Sequence, residues 1–144
     1  MIRHAGLIAL RLGGVWKGAL VEGPSGAGKS DLAIRALAAG FRLVADDRTL
    51  VWTSRGRLYG RAPDTLSGLL EMRGLDVVQV SPLPLAQIVM IAQLGQPERM
   101  PEPDTLDVLG LPLARLDVDP FAATAPAKLS RAIEVFDAAH NGRI

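Results

Sequence analysis

The chain has 144 residues, 49% of them hydrophobic and 22% charged, with a formal net charge of +1. That length suits one domain with a real core, and that balance excludes a disordered tail and a strongly basic nucleic-acid binder. Cysteine is absent, which removes disulfides, thiolate metal sites and cysteine nucleophiles together, and no apolar run is long enough to span a bilayer.

Met1-Ile2-Arg3-His4 leads into an apolar pattern with no cleavage-site signature. No signal peptide is expected, and a reducing cytoplasm is the default location. Leu7 to Leu12 reads as a short strand broken by Gly13-Gly14, and Gly18 to Glu22 as the next. Residues 23–30 then read Gly23-Pro24-Ser25-Gly26-Ala27-Gly28-Lys29-Ser30, a full match to the phosphate-binding pattern G-x-x-x-x-G-K-[ST]. Each fixed position has a mechanical job. The glycines let successive backbone N–H groups curl around phosphate oxygens. Lys29 reaches the β- and γ-phosphates, and the Ser30 hydroxyl is a hard oxygen ligand for Mg²⁺. A helix from about Gly28 to Ala39 should aim its positive end at the anion, with Leu32, Ala33, Ala36 and Leu37 at helical spacing and Gly40 as its cap.

Leu43-Val44-Ala45 is a brief apolar strand ending in Asp46-Asp47. An acid at the tip of a buried strand is a common way to place a metal-organising carboxylate, so Asp46 and Asp47 are site candidates. In a strand, adjacent side chains point to opposite faces, so only one of the two is expected to face the phosphates. Thr49 to Thr53 is rich in β-formers, Arg55-Gly56-Arg57 is a turn, and Leu58-Tyr59-Gly60 starts a returning strand. Leu66 to Met72 reads as a short helix or a turn. Glu71 and Arg73 flank Met72, so in an extended segment they face the same way.

Val77 to Val80 and Ile88 to Ala92 look like buried strands. Gly95 to Asp104, with Pro97, Pro101 and Pro103, reads as a loop carrying Arg99. Phosphoryl transfer uses such an arginine to stabilise equatorial oxygens, although a loop arginine is usually solvated. Leu111 to Val118 is another strand stopped by Pro120. Ala127 to His140 is the clearest helix, with Leu129, Ile133, Phe136 and Ala139 on one face and Gly142 as a stop. Lys128 and Arg131 mark its solvated side, and His140 is a helix-end residue without a role. His4, alone before the first strand, is of a kind more often incidental than catalytic.

Taken together these segments resemble the catalytic domain of the bacterial HPr kinase/phosphorylase family. The likeness runs in order through His4, the loop at 23–30 with Asp31-Leu32-Ala33, the run from Gly40 to Asp47, and Gly60-Arg61-Ala62-Pro63. It continues through Glu71-Met72-Arg73-Gly74-Leu75, Glu98-Arg99-Met100-Pro101 and Pro126-Ala127-Lys128. The loop alone is promiscuous; joined to L-V-A-D-D and E-x-R-G-L it is far more specific. The resemblance implies Mg-ATP-dependent phosphorylation of a serine in HPr, the small phosphocarrier of the sugar phosphotransferase system. It also implies, in many members, the reverse step by phosphorolysis.

Carried over, Asp47 would be the general base forward and the acid in reverse, with Lys29, His4 and Arg99 as active-site residues. Ser30 and Glu71 would ligate Mg²⁺, with Asp46 beside them. The segment from Pro126 to Arg131 would serve the phosphorylase direction. The implied fold is a mixed α/β sheet with flanking helices around the phosphate loop, phosphoenolpyruvate-carboxykinase-like and hexameric. The longer members carry a separate N-terminal domain, and this chain resembles the short, single-domain form over residues 1–144. Asp76 and Ser130 stand where the family usually has glycine, which leaves the phosphorylase direction open. A P-loop kinase of a small metabolite would usually show an arginine-rich lid, and none is found. A non-catalytic nucleotide sensor would be free to lose Asp46, Asp47, Glu71 and Arg73, yet all are present.

Overall fold

The computed structural model describes residues 1–64, 69–72, 76–79, 82–95 and 104–140; of 69–72 and 76–79 it describes the backbone. The strands are β1 (Ile2–Arg3), β2 (Ala5–Leu12), β3 (Val15–Glu22), β4 (Arg42–Ala45), β5 (Thr49–Ser54), β6 (Arg57–Arg61), β7 (Leu69–Met72), β8 (Asp76–Gln79), β9 (Ala86–Leu94), β10 (Asp104–Val108) and β11 (Leu111–Val118). The helices are α1 (Lys29–Ala38) and α2 (Ala125–His140). No helix among the described residues is long and apolar enough to cross a membrane.

Nine of these strands form one mixed sheet in the order β1-β5-β6-β9-β3-β2-β4, with β11 and then β10 also attached at β9. β9 is the hub. Its early residues pair antiparallel with β6, its late residues pair parallel with β11, and its other edge pairs parallel with β3. A strand enclosed on both edges and both faces should be apolar throughout, and Ala-Gln-Ile-Val-Met-Ile-Ala-Gln-Leu is buried at every position but Gln93.

The two-residue period of the strands builds two cores. Ile8, Ala19, Val21, Leu43, Met90 and Ala92 face the helices and pack on Leu32, Ala33 and Ala36 of α1 and Leu129 and Ile133 of α2. Their neighbours Leu7, Leu20, Val44 and Ile91 point the other way, into the hollow of the curled sheet, with Val51, Leu58, Ile88 and Leu113. The hollow closes tightly at Gly60, where a Cβ would come within 2.7 Å of a Leu7 methyl and 2.9 Å of Thr49 Cγ2. α1 ends as expected at Gly40 (φ 97), with Phe41 N–H donating to Ala36 C=O and Gly40 N–H to Leu37 C=O.

Three expectations are corrected. Leu69–Met72 is a strand rather than a helix or turn, because it pairs antiparallel with β8 and that pairing satisfies its backbone. Asp104 opens a strand, β10, instead of closing a loop. Its alternating polar residues suit a sheet edge, where Arg115 of β11 donates to both Asp104 oxygens at 3.1 and 2.8 Å. That hydrogen bond holds the Asp104 carboxyl below the usual carboxylate range. The helix predicted from Ala127 begins two residues earlier, and Ala139 is exposed while Asp137 is buried.

Candidate active site

β3, β9 and β11 run parallel, so their carboxyl ends meet at one rim, the place where open α/β sheets bind ligands. β3 delivers the phosphate loop there. β9 ends at Leu94, and β11 leads into a turn over Asp119–Ala122, with Gly95 N–H donating to Val118 C=O at 3.0 Å. The loop is seated on this rim by its glycines. A Cβ on Gly23 would lie 3.1 Å from Ala27 Cβ and 3.2 Å from Leu94 Cβ. Ala27 N–H closes a turn onto Pro24 C=O at 3.0 Å, and Ser25 and Gly26 are exposed at its crown. Gly28, at φ 103, caps α1 without any side-chain hydrogen bond, so the amides of the first turn are left for an anion.

Lys29 folds back over the loop. Its Nζ donates to Gly23 C=O at 3.0 Å and pairs with Asp47 Oδ1 at 3.2 Å. The Ser30 hydroxyl lies 3.2 and 3.5 Å from the two oxygens of Asp46. Both acids therefore engage the loop, correcting the expectation that only one would face it. The reason is that β4 stops at Ala45. Asp46 and Asp47 occupy a bend in which Asp47 takes a left-handed φ of 67 and Arg48 N–H donates to Asp46 C=O at 2.8 Å. Aspartate tolerates that conformation better than most residues. The Lys29 side chain is 13% exposed and that of Asp47 63%, so the cation is enclosed while the carboxylate stays open to an incoming group.

The bend is held from behind. Thr49, fully buried, donates its hydroxyl to Ala5 C=O at 2.8 Å. Ala5 in turn pairs with Glu22, the residue before the loop. A Cβ on Gly6 would come 3.3 Å from Ala45 C=O, so the chain passes close by the bend. His4 precedes Ala5 and is exposed, which puts its backbone at the same rim. Arg3 Nε donates to Glu22 Oε1 at 2.6 Å and braces that corner.

Glu71 stands in β7, opposite Val77, and β7 packs against α1, the helix that starts with Lys29 and Ser30. Arg73 and Arg99 lie outside the described residues. Lys128 and Arg131 are exposed on α2, with Arg131 paired to Glu134 at 3.2 Å, as expected of a solvated face. Thr49, Gly6, Arg35 and Phe121 belong to the surroundings of the site, and no pattern in the sequence marks them. The register of β2 on β3 brings Gly6 there, that of β11 on β9 brings Phe121, and the pairing of β1 with β5 brings Thr49.

Ser30 and Asp46 offer hard oxygens of the kind Mg²⁺ prefers. Among the described residues no group of three or more His, Asp or Glu side chains forms a metal cage. The two oxygen donors of Ser30 and Asp46 suit a cation shared with phosphate oxygens and water, which is the usual habit of Mg²⁺.

A family model, the HPr Serine kinase C-terminal domain, matches residues 4–108. The HPr kinase/phosphorylase of Clostridium tetani is 34% identical over 125 residues, 82% of this chain and 41% of its own length. That of Burkholderia cenocepacia is 34% identical over 129 residues, 80% of this chain and 40% of its own. The chain thus spans about two fifths of these curated relatives. The structure of the Hpr(Ser) kinase/phosphatase from Coxiella burnetii superposes with a TM-score of 0.78 at 20% identity, covering 94% of this chain and 97% of that one. The curled sheet with its flanking helices is that fold. A match running from His4 through the phosphate loop and both acids to Val108 places the chain in the HPr serine kinase C-terminal domain family.

Proposed function

We propose that this chain transfers the γ-phosphoryl group of Mg-ATP to a serine of HPr and returns it to inorganic phosphate in the reverse direction. The observation that carries the reading is the contact between Lys29 and Asp47, which sets a solvent-open carboxylate 3.2 Å from the phosphate-seeking ammonium. A serine hydroxyl is too weak an acid to attack phosphorus unaided. A carboxylate beside the transferring group can take its proton as the new O–P bond forms and the bond to the departing ADP breaks. In reverse, phosphate attacks the phosphoserine, the serine O–P bond breaks, Asp47 returns the proton, and pyrophosphate leaves.

When nucleotide is bound, Lys29 exchanges Asp47 for phosphate oxygens, which frees the carboxylate for the acceptor. The loop amides and Lys29 hold the phosphates in line, and most of the acceleration comes from that positioning. Ser30 and Asp46, with Glu71 from β7, would hold Mg²⁺, which when bound neutralises charge on the phosphates. The names of the relatives support HPr as the acceptor and both directions of transfer. We also assign His4 and Arg99 to the active site, a reading that rests on the resemblance of their segments to the family's own.

Incubation with Mg-ATP and HPr, followed by mass spectrometry, should yield one phosphoserine. Later addition of phosphate should release pyrophosphate. Absence of phosphoserine on every HPr tried overturns the proposal. Ser30→Ala should raise the Mg²⁺ concentration for half-maximal rate by at least about tenfold. An unchanged Mg²⁺ requirement in initial-rate assays removes Ser30 from the metal site.

A further inference from the structure

We propose that Phe121 is the surface on which the base of the nucleotide stacks, an inference that rests on the nucleotide reading of the loop given above. Phe121 is 67% exposed, more than any other large hydrophobic residue described. Its ring is not at a distant edge but across the phosphate loop. A Cβ on Gly28 would lie 3.1 Å from Phe121 Cζ and 3.3 Å from Cε1, and 3.3 Å from Pro120 Cβ. An apolar ring left in water beside a polar loop loses the burial that normally anchors a phenylalanine.

The backbone beneath it is nevertheless fixed. Asp119 Oδ1 accepts from Phe121 N–H at 3.0 Å, and Asp119 C=O accepts from Ala122 N–H at 3.3 Å. Arg35 of α1 donates to Ala122 C=O at 3.0 Å and pairs with Asp31 at 3.4 Å. The turn is thus clamped to the helix whose first residues are Lys29 and Ser30. Three features coincide: a flat apolar face, a rigid support and a position at the shoulder of a phosphate site. With phosphates in the loop, the rest of a nucleotide must leave it over one shoulder, and a base offers an apolar face that would cover this ring. Stacking of this kind tolerates any base, since each has a π-face.

The test separates base from phosphates. The full chain, Phe121→Ala and Phe121→Tyr are titrated calorimetrically with Mg-ATP and with magnesium tripolyphosphate, which has no base. Phe121→Ala should bind ATP about tenfold more weakly, as loss of one aromatic stacking partner implies. Its affinity for tripolyphosphate should stay that of the unaltered chain, and Phe121→Tyr should restore ATP binding. If Phe121→Ala binds ATP normally while tripolyphosphate still binds, the stacking role falls and the phosphate site stands. Equal losses for both ligands make Phe121 a mere packing residue on Gly28 and also overturn the inference. If the unaltered chain binds neither ligand, the nucleotide reading fails and takes the inference with it.

Discussion

With Asp47 as the proposed general base, Asp47→Asn should lower the rate of phosphoryl transfer by about 10²–10⁴-fold, while nucleotide affinity holds or rises. The expectation follows from three properties of the site. The amide has the shape of the carboxylate but cannot take a proton from serine. Asparagine accepts the left-handed φ of 67 that this position demands, so the bend survives, whereas alanine there is strained by roughly 1–2 kcal/mol. The side chain is 63% exposed, so no buried packing is disturbed. Removing the carboxylate also releases Lys29 from its 3.2 Å ion pair and takes a negative charge away from the phosphates. Single-turnover rates and nucleotide titrations on the same preparation check this. The reverse reaction provides a second arm, because the group that removes the serine proton must return it. Forward and reverse rates should therefore fall together. A parallel loss of nucleotide affinity and rate would reassign Asp47 to binding, and a lower melting temperature would reassign it to the turn.

The parts of this site that are contiguous in the chain are legible from sequence alone. Gly23 to Ser30 carries its own conformation, because glycines at φ 82 and 103 and an uncapped helix start are local properties. Asp46 and Asp47 are legible as candidates, but their directions are not. A two-residue strand rule sends them apart, and the early end of β4 turns both toward the loop. Thr49 gives no local signal at all. Its hydroxyl matters only because β5 lies where Ala5 presents a carbonyl, and that depends on β1 pairing with β5. The strand Asp104–Val108 escapes a periodicity argument for a related reason. Its residues are largely polar, and it is a strand because Leu111–Val118 offers it an edge. A mixed sheet follows from the many short β-runs, while the three-way junction at β9 is long-range and leaves no trace in periodicity.

The largest stability effect lies at the opposite end of β3 from the site. Lys17 Nζ and Asp137 Oδ1 are 2.6 Å apart, with side chains 11% and 2% exposed. Lys17 shares the face of Ala19 and Val21, so it points at α2, and Asp137 comes one turn after Ile133 on that helix. The pair therefore pins the second half of α2 to the sheet. Lys17→Met keeps the length and apolar stem of the side chain but takes the lysine cation away from the buried Asp137 carboxylate. Breaking a buried pair costs up to about 3–5 kcal/mol, since the carboxylate keeps its desolvation penalty while losing the attraction of this cation. For a domain of this size it corresponds to a melting temperature lower by roughly 10 °C or more. Replacing both residues, as Lys17→Met with Asp137→Leu, should recover most of the loss, because apolar pairs of similar volume substitute well for buried ions. Six residues of strand, roughly 20 Å, separate Lys17 from Gly23, so the phosphate loop should not sense the change. Below its melting transition the Lys17→Met protein should transfer phosphoryl groups at the unaltered rate. A single variant that melts within a degree or two of the parent would show that water or another group compensates Asp137. A double variant as unstable as the single one would show that the geometry of the pair, not its charge, holds α2 in place.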